Sequence, residues 1–368
     1  MAPPNDGVTS AAPVSGPAAA EAPPAPTDVE VPVPTGHDMP REVAALVFIR
    51  DRGIFILWGA LILVFAFWAS PYFFTLTNAM LIANAAAITA VFAAGVGFGV
   101  MTGVLDLSLP GTAAFAACLL GWLVTNGSSV WVGIAAALIA GAVVGLINGL
   151  IALRGFNPII VTIGTLSALS GLAAIVAGGY TFPGLTGLEF MGTRRYLGVP
   201  APVYIVGALY IIGTIFLTRT RDGIRLMAVG GNAEAVRRSG IPSDRYKVLG
   251  FVLSGIFAAL GGLIATAVTT EATPEASPSI IFNALTAVAL AGVALTGGRG
   301  SLPRVLVGAL ILATIANGLT IRGVQPYWAT ASTGILLLAS LALEKFIQNS
   351  VSDRLMNSAN LSVHGKKV

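Results

Sequence analysis

The sequence predicts an all-α membrane protein that crosses the bilayer about ten times. Apolar residues make up 55% of its 368 residues, charged residues only 10%, and the mean hydropathy is +0.86. Soluble domains average roughly 25% charged residues, so most of this chain's surface lacks the charge that water requires. The 44 glycines suit helices that pack closely in lipid through small side chains.

Composition divides the chain into three parts. Residues 1–40 hold 10 of the 21 prolines and no lysine or arginine. Such a segment cannot bury enough apolar surface to fold, so we expect a disordered cytoplasmic tail. Residues 41–348 form the predicted transmembrane domain, and residues 349–368 form a cytoplasmic C-terminal tail.

Ten stretches are long and apolar enough to be candidate spans. A hydrocarbon core of roughly 30 Å needs about 20 apolar residues per helix. The stretches are 54–70, 78–101, 111–126, 130–153, 158–178, 202–218, 248–269, 281–296, 304–320 and 327–346.

The charge distribution predicts that both termini are cytoplasmic. An even number of spans places them on one side, and that arrangement puts 17 of the 20 lysines and arginines inside. Basic residues concentrate in the cytoplasmic loops of inner-membrane proteins. The same bias explains the net charge of +4 without invoking nucleic acid. We therefore expect a multi-pass protein of the bacterial inner membrane.

Few residues are available for catalysis or metal binding. Cys118 is the single cysteine and lies in an apolar run, while His37 and His364 lie in the tails. Disulfides, thiolate metal sites and histidine acid–base chemistry therefore have almost nothing to work with. We expect no metal and no enzymatic activity in this chain.

The longest cytoplasmic connection, residues 218–247, contains a short predicted helix at 232–239. A helix of this length is not stable alone in water, so it must pack on its own protein or on a partner. Its signals are an N-cap at Asn232, an acid in the first turn at Glu234, bases in the last turn at Arg237 and Arg238, and a terminating glycine at Gly240.

Asp106 is an isolated carboxylate between two apolar spans. Near the middle of the bilayer a charge would cost several kcal/mol. Asp106 therefore either lies at the interface and caps the third helix, or takes part in proton coupling.

Neutral polar side chains punctuate several spans. Hydroxyls and amides can bind a polyol without the desolvation penalty of a charge, and they can equally join helices to one another. Together with Asp106 they form a candidate substrate path: Asn84, Ser108, Asn148, Thr162, Thr165 and Asn317.

A faint internal symmetry links the two halves of the chain. The fourth span ends in the segment 145–150, which contains Asn148 and Gly149, and the ninth ends in 314–319, which contains Asn317 and Gly318. These spans run in opposite directions in the predicted topology. The echo predicts an inverted repeat of spans 2–5 and 7–10, a common plan in transporters.

Five segments, in order and at plausible spacing, resemble the permease subunits of bacterial ABC importers for monosaccharides, of the ribose, xylose and arabinose type. The resemblance runs from about residue 78 to 346. Its most specific segments are 105–108, 145–150, 157–166, 229–235 followed by 239–241, and 295–301.

The resemblance implies partners and a mechanism. Such permeases form homodimers, with a path at or near the interface, and move sugar inward by alternating access. A periplasmic binding protein delivers the sugar, and a cytoplasmic ATPase subunit binds the ATP, so no cofactor is expected in this chain. The short helix would be the coupling helix that docks on the ATPase, formed by Gly231, Asn232, Glu234, Val236, Arg237, Arg238 and Gly240.

Departures from the family pattern leave the sugar open. Val104 and Pro110 stand where glycine is usual, and Ala291 replaces one of a glycine pair. Ile281 and Asn283 stand where an acidic pair is common. The expected substrate is a pentose, a hexose or a related polyol.

Two other classes of protein remain as alternatives. An ion-coupled secondary transporter would need an ionisable group in its spans, and Asp106 is the candidate. A membrane-embedded enzyme would need a convergent set of nucleophile and base, which the sequence does not offer.

Overall fold

The computed structural model describes the backbone of residues 41–364 and the side chains of residues 52–346. The predicted tail at 1–40 lies outside the described residues. The described chain forms eleven α-helices and one β-ribbon: α1 (Arg41–Trp68), α2 (Leu76–Met101), α3 (Leu109–Thr125), α4 (Val130–Leu153), α5 (Pro158–Ala177), β1 (Arg195–Tyr196), β2 (Val199–Pro200), α6 (Ala201–Arg219), α7 (Arg221–Arg238), α8 (Ser243–Thr269), α9 (Ser279–Leu290), α10 (Leu302–Ile321) and α11 (Pro326–His364).

Every predicted span overlaps a helix, although the stretch 281–296 is helical only to Leu290, and the number of full crossings is not confirmed. Within the part of the chain that the structure describes, seven helices are long and apolar enough to cross a membrane: α2, α4, α5, α6, α8, α10 and the Pro326–Phe346 part of α11. The apolar helices Arg52–Trp68, Leu109–Thr125 and Ser279–Leu290 are shorter. Helix α9, with 12 residues, is only about 18 Å long, less than the roughly 30 Å of a hydrocarbon core.

Helices α2 and α8 form the centre of the bundle. Half of the apolar window of α2 and 61% of that of α8 is buried, against 17% for α5. Helix α4 lies against α8 almost backbone to backbone, because a side chain on Gly141 would collide with the Gly255 carbonyl oxygen. Such close approach needs glycine on both helices, which is one use of the abundant glycines.

The helix contacts agree with the predicted inverted repeat. Helices α2–α5 correspond to spans 2–5, and α8–α11 to spans 7–10. Helix α4 packs on α8 as α10 packs on α2, and α3 contacts α5 as α9 contacts α11. The order Pro158, Thr162, Thr165 at the start of α5 recurs as Pro326, Thr330, Thr333 at the start of α11, which extends the symmetry beyond the Asn–Gly echo.

The bundle has two distinguishable sides. Helix α7 lies on one of them, called the α7 side here, and α2, α4, α6 and α9 end on it. The opposite side carries the segment 179–200, in which β1 and β2 form an antiparallel ribbon that pairs Arg195 with Pro200. The Phe182 amide donates to the Ala272 carbonyl oxygen over 2.9 Å. Hydrogen bonds within it and to the rest of the chain therefore order this long connection.

Candidate functional site

The short helix predicted at 232–239 forms the second half of α7. Asn232 leaves the helical conformation, with φ −158° and ψ 92°, and its Oδ1 accepts a hydrogen bond of 3.0 Å from the Ala235 amide. At the other end Gly240 has φ +79°, the left-handed conformation that glycine adopts without strain. Both predicted caps are confirmed. The kink at Asn232 separates this half, called the capped helix below, from the preceding one.

The capped helix turns an apolar edge inward and a charged face outward. Ala233 and Val236 pack against the hydrophobic core. Glu234 forms ion pairs with Arg237 and with Arg238, and all three side chains are at least half exposed. Exposed ion pairs contribute little stability, so packing on the bundle is what holds this short helix in place.

The first half of α7, Arg221–Gly231, is helical as well, and the sequence analysis did not predict it. Thr220 begins it by accepting a hydrogen bond of 3.0 Å from the Gly223 amide. The signal was available, because Thr220 is an N-cap residue followed closely by Asp222 in the first turn.

A series of hydrogen-bonded side chains joins the first half of α7 to α8. The Tyr246 hydroxyl donates to Asp222 Oδ1 at 2.9 Å and accepts from the Arg225 guanidinium at 3.3 Å. The bond to Tyr246 raises the pKa of Arg225 above its ordinary value. These bonds anchor the first half of α7, as the packing of Ala233 and Val236 on the hydrophobic core anchors the second.

The capped helix begins beside a junction of glycines. Gly230 lies so close to the turn after α2 that a side chain on it would collide with the Met101 carbonyl oxygen. The Gly298 amide donates to the same carbonyl oxygen at 3.0 Å. Gly103 and Gly298 have φ of +81° and +76°. Three segments that are distant in sequence therefore meet backbone to backbone: the turn after α2, the middle of α7 and the connection after α9. Each lies in or next to one of the segments that resemble the sugar permeases.

Four of the seven candidate path residues form one buried hydrogen-bond network. Asp106 Oδ1 accepts from the Ser108 amide at 2.9 Å and from its hydroxyl at 2.6 Å. The Asn148 amide group donates to Ser108 Oγ at 3.1 Å, and the Thr165 hydroxyl donates to Asn148 Oδ1 at 2.6 Å. The network joins the segment before α3 to α4 and α5.

Asp106 lies inside the protein, not at its surface. Its side chain is 2% exposed, and its carboxylate bonds to the residue that precedes α3. The predicted cap of the third helix is not formed, because the carboxylate bonds to Ser108 itself and no side chain caps the first turn of α3. Asp106 Oδ2 makes no well-formed hydrogen bond, although the Ser254 hydroxyl lies near the carboxylate.

The other three candidate residues lie elsewhere. Asn84 lines a cavity of about 200 Å³ on the opposite side, together with Thr193 and Arg195. Thr162 is fully buried, and its hydroxyl donates to the Ile159 carbonyl oxygen of its own helix at 3.2 Å. The Asn317 amide group donates to Asn78 Oδ1 at 2.8 Å, joining α10 to α2. The structure therefore does not bring all seven residues together.

Among the described residues, no group of three histidine, cysteine, aspartate or glutamate side chains is arranged to hold a metal ion.

Comparison with known proteins identifies the family to which this chain belongs. Residues 78–341 match the family described as branched-chain amino acid transport system, permease component. The ribose import permease of Escherichia coli K12 is 32% identical over 283 residues, 75% of this chain and 88% of its own. The L-arabinose transport system permease of the same strain is 32% identical over 320 residues, 86% and 97% of the two chains.

A third relative, the D-allose transport system permease of Escherichia coli K12, is 29% identical over 302 residues, 80% of this chain and 91% of its own. No solved structure matches the chain. The family match covers well over half of the sequence, from α2 into α11. The chain is a membrane transport permease and belongs to the permease-component family of the branched-chain amino acid transport systems.

Proposed function

We propose that this chain is the transmembrane subunit of an ATP-driven importer for a monosaccharide or related polyol. The relatives named for ribose, L-arabinose and D-allose support the substrate class. The main structural support for the mechanism is the capped helix. It packs on the bundle and exposes its charged face to solvent.

The capped helix is the docking point for a cytoplasmic ATPase subunit, which binds the ATP. Val236 anchors it, and Glu234, Arg237 and Arg238 offer charge to the partner. Gly231 and Asn232 allow the kink, and Gly240 ends the helix. Through the glycine junction, movement of this helix reaches the turn after α2 directly.

The α7 side is cytoplasmic in this proposal. It carries seven of the basic residues between Arg219 and Lys247, and basic loops stay inside. The opposite side, with the ordered segment 179–200, then faces the periplasm and receives sugar from a binding protein of the bacterial inner-membrane system.

A second copy of the chain completes the transporter. Only 17% of the apolar window of α5 and 11% of that of α11 are buried within one copy. Gly164 and Gly171 of α5 have open space in front of them, and small residues favour close helix contacts in lipid. The exposed face of α5 is therefore the proposed dimer contact.

The seven candidate polar residues act on the path in different ways. Asn84 faces a cavity on the proposed periplasmic side. The network from Asp106 to Thr165 fixes the segment before α3 against α4 and α5. Thr162 and Asn317 stabilise the helices beside the path.

Co-purification from native membranes tests the proposal. The tagged wild-type chain and the Arg238→Trp variant are extracted in parallel in mild detergent. The substitution places a bulky ring on the exposed face of the capped helix. Arg154→Trp is the matched control, because Arg154 is an exposed arginine on a different connection of the same side. A soluble ATPase should accompany the wild type and Arg154→Trp but not Arg238→Trp. The proposal fails if the wild type brings down no ATPase under conditions that preserve other such complexes.

A further inference from the structure

A cavity of about 510 Å³ lies between α2, α9, α10 and α11. Ligand pockets in proteins commonly have roughly 300–1,000 Å³. Its wall carries neutral polar side chains and no charged one; the polar residues are Thr89, Ser279, Asn283, Thr330 and Thr333.

Along the axis of α11 the cavity reaches about half the thickness of the hydrocarbon core. Leu337, which also lines it, is eleven residues from Pro326 at the start of α11, and so lies about 16 Å along that helix. Half the thickness of a hydrocarbon core is about 15 Å. The wall combines α2 of the first repeat with three helices of the second. Transporters built from inverted repeats place their substrate sites at this depth and at this boundary.

Several polar side chains of the cavity wall lack a hydrogen-bond partner in the part of the chain that the structure describes. The side chains of Thr89, Asn283 and Thr330 make no hydrogen bond within the described part of the chain. Burying an amide or a hydroxyl against lipid without a partner is unfavourable. These groups therefore need water or a ligand that offers hydroxyl groups.

The first repeat shows what the same elements look like when their polar groups are satisfied. In α5, Thr165 bonds to Asn148 and Thr162 is fully buried against its own backbone. In α11, the equivalent Thr330 faces the cavity, while Thr333 lines it and bonds only within its own helix, to the Ala329 carbonyl oxygen. The polar network of one repeat is thus closed, and that of the other is open.

We propose that the Thr89–Asn283–Thr330 cavity is a binding site for the transported sugar within the permease itself. The Asn283 amide can donate and accept, and each threonine hydroxyl can do both, so together they match the hydroxyl groups of a monosaccharide. Phe282, 54% exposed, supplies an apolar surface beside them. The lack of charge in the wall suits a neutral solute. This inference rests on the proposed function.

Cysteine labelling tests whether the cavity holds water and sugar. Thr330→Cys and Asn283→Cys are made in a Cys118→Ala chain, expressed with its complete importer, and labelled by a charged methanethiosulfonate. Ala331→Cys is the matched control, because Ala331 is the exposed neighbour of Thr330 and does not line the cavity. The two cavity cysteines should react at least about tenfold faster than the control, because hydrocarbon suppresses the reactive thiolate.

The sugar is the second part of the test. Ribose, L-arabinose and D-allose are first offered to the wild-type importer, and the one taken up is added during labelling. It should slow labelling of both cavity cysteines and leave Ala331→Cys unchanged. Slow labelling at all three positions, as expected of a groove filled by lipid or by a second copy, overturns the inference. So does fast labelling that the transported sugar does not alter. If the wild type takes up none of the three, further pentoses, hexoses and polyols are offered in the same way, and only the absence of uptake of every one of them contradicts the proposed function.

Uptake by two further variants separates sugar contact from general damage. Thr330→Val keeps the shape of the side chain and removes its hydroxyl, so uptake of the transported sugar should fall about fivefold, the value of one hydrogen bond. Ser332→Ala removes a hydroxyl that already bonds to the Ala329 carbonyl oxygen and should leave uptake unchanged. Equal uptake by both variants and the wild type would contradict a sugar contact at Thr330.

Discussion

The Thr165 hydroxyl lies 2.6 Å from Oδ1 of the buried Asn148, in a contact that joins α5 to α4. The same asparagine donates to Ser108, so one side chain of α4 connects α5 with the residue that precedes α3. Removing the donor of such a hydrogen bond is costly, because a buried acceptor without a donor keeps its full desolvation penalty.

Thr165→Val should therefore lower the free energy of unfolding by about 1–3 kcal/mol. Thermal unfolding in detergent measures the change. Thr218→Val is the control, because the Thr218 hydroxyl is exposed and bonds only to its own helix. Adding Asn148→Leu should cost less than the sum of the single changes, since both partners are then apolar. Additive losses would show that the two residues do not interact.

Asp106 should act as a hydrogen-bond acceptor and not as a proton carrier. Its Oδ1 accepts hydrogen bonds from the Ser108 amide and hydroxyl, and the Ser254 hydroxyl also lies near the carboxylate. Asp106→Asn keeps the acceptor and should retain uptake within about twofold, whereas Asp106→Leu loses it and should abolish uptake. Uptake by Asp106→Asn is compared with wild type, with and without an uncoupler at constant ATP. Loss of uptake in Asp106→Asn, with uncoupler sensitivity in the wild type, would instead favour an ion-coupled carrier.

The glycine junction should tolerate no side chain at Gly230. A methyl group there collides with the Met101 carbonyl oxygen, and overpacking of this kind typically costs 1–3 kcal/mol. Gly230→Ala should therefore reduce thermal stability and weaken ATPase co-purification together. Gly59→Ala, at a helical glycine with open space around it, should be neutral or slightly stabilising. Wild-type co-purification and stability in Gly230→Ala would argue against the junction.

The exposed face of α5 should determine dimerisation. Gly171→Leu adds a bulky side chain where a single copy has open space, so the monomer should stay folded while the dimer is lost. Native mass spectrometry of the detergent-extracted chain measures the ratio. Gly207→Leu is matched to it, since Gly207 on α6 also has open space. A dimer that survives Gly171→Leu and not Gly207→Leu would place the contact on α6.

Local signals predicted local structure well. The caps at Asn232 and Gly240 follow from residue chemistry alone and are confirmed by bonds and angles. The sequence could also place helices at all ten apolar stretches. It could not show that α9 is only 12 residues long, because the apolar run continues past Leu290 while the backbone turns at Gly292, with φ +65°.

Long-range partners were beyond the sequence. Asn84, Asn148 and Asn317 look alike as polar residues within spans, yet one lines a cavity, one lies at the centre of a network and one joins α10 to α2. Which role each asparagine takes depends on the rotation of its helix about its own axis. Apolar residues lie on all sides of these helices, so the sequence does not indicate which side faces a neighbouring helix. The cavity beside Thr330 has a weak signal in the repeated Pro–Thr–Thr order, which acquires meaning only when α5 and α11 are compared.

Sugar uptake by the reconstituted complex tests the central claim most directly. The chain is purified with its ATPase, placed in proteoliposomes, and supplied with the binding protein and labelled ribose, L-arabinose or D-allose on one side and ATP on the other. A sugar that accumulates should do so only when ATP is hydrolysed, and Arg238→Trp should abolish its accumulation. Accumulation that follows an ion gradient and ignores ATP would contradict the account.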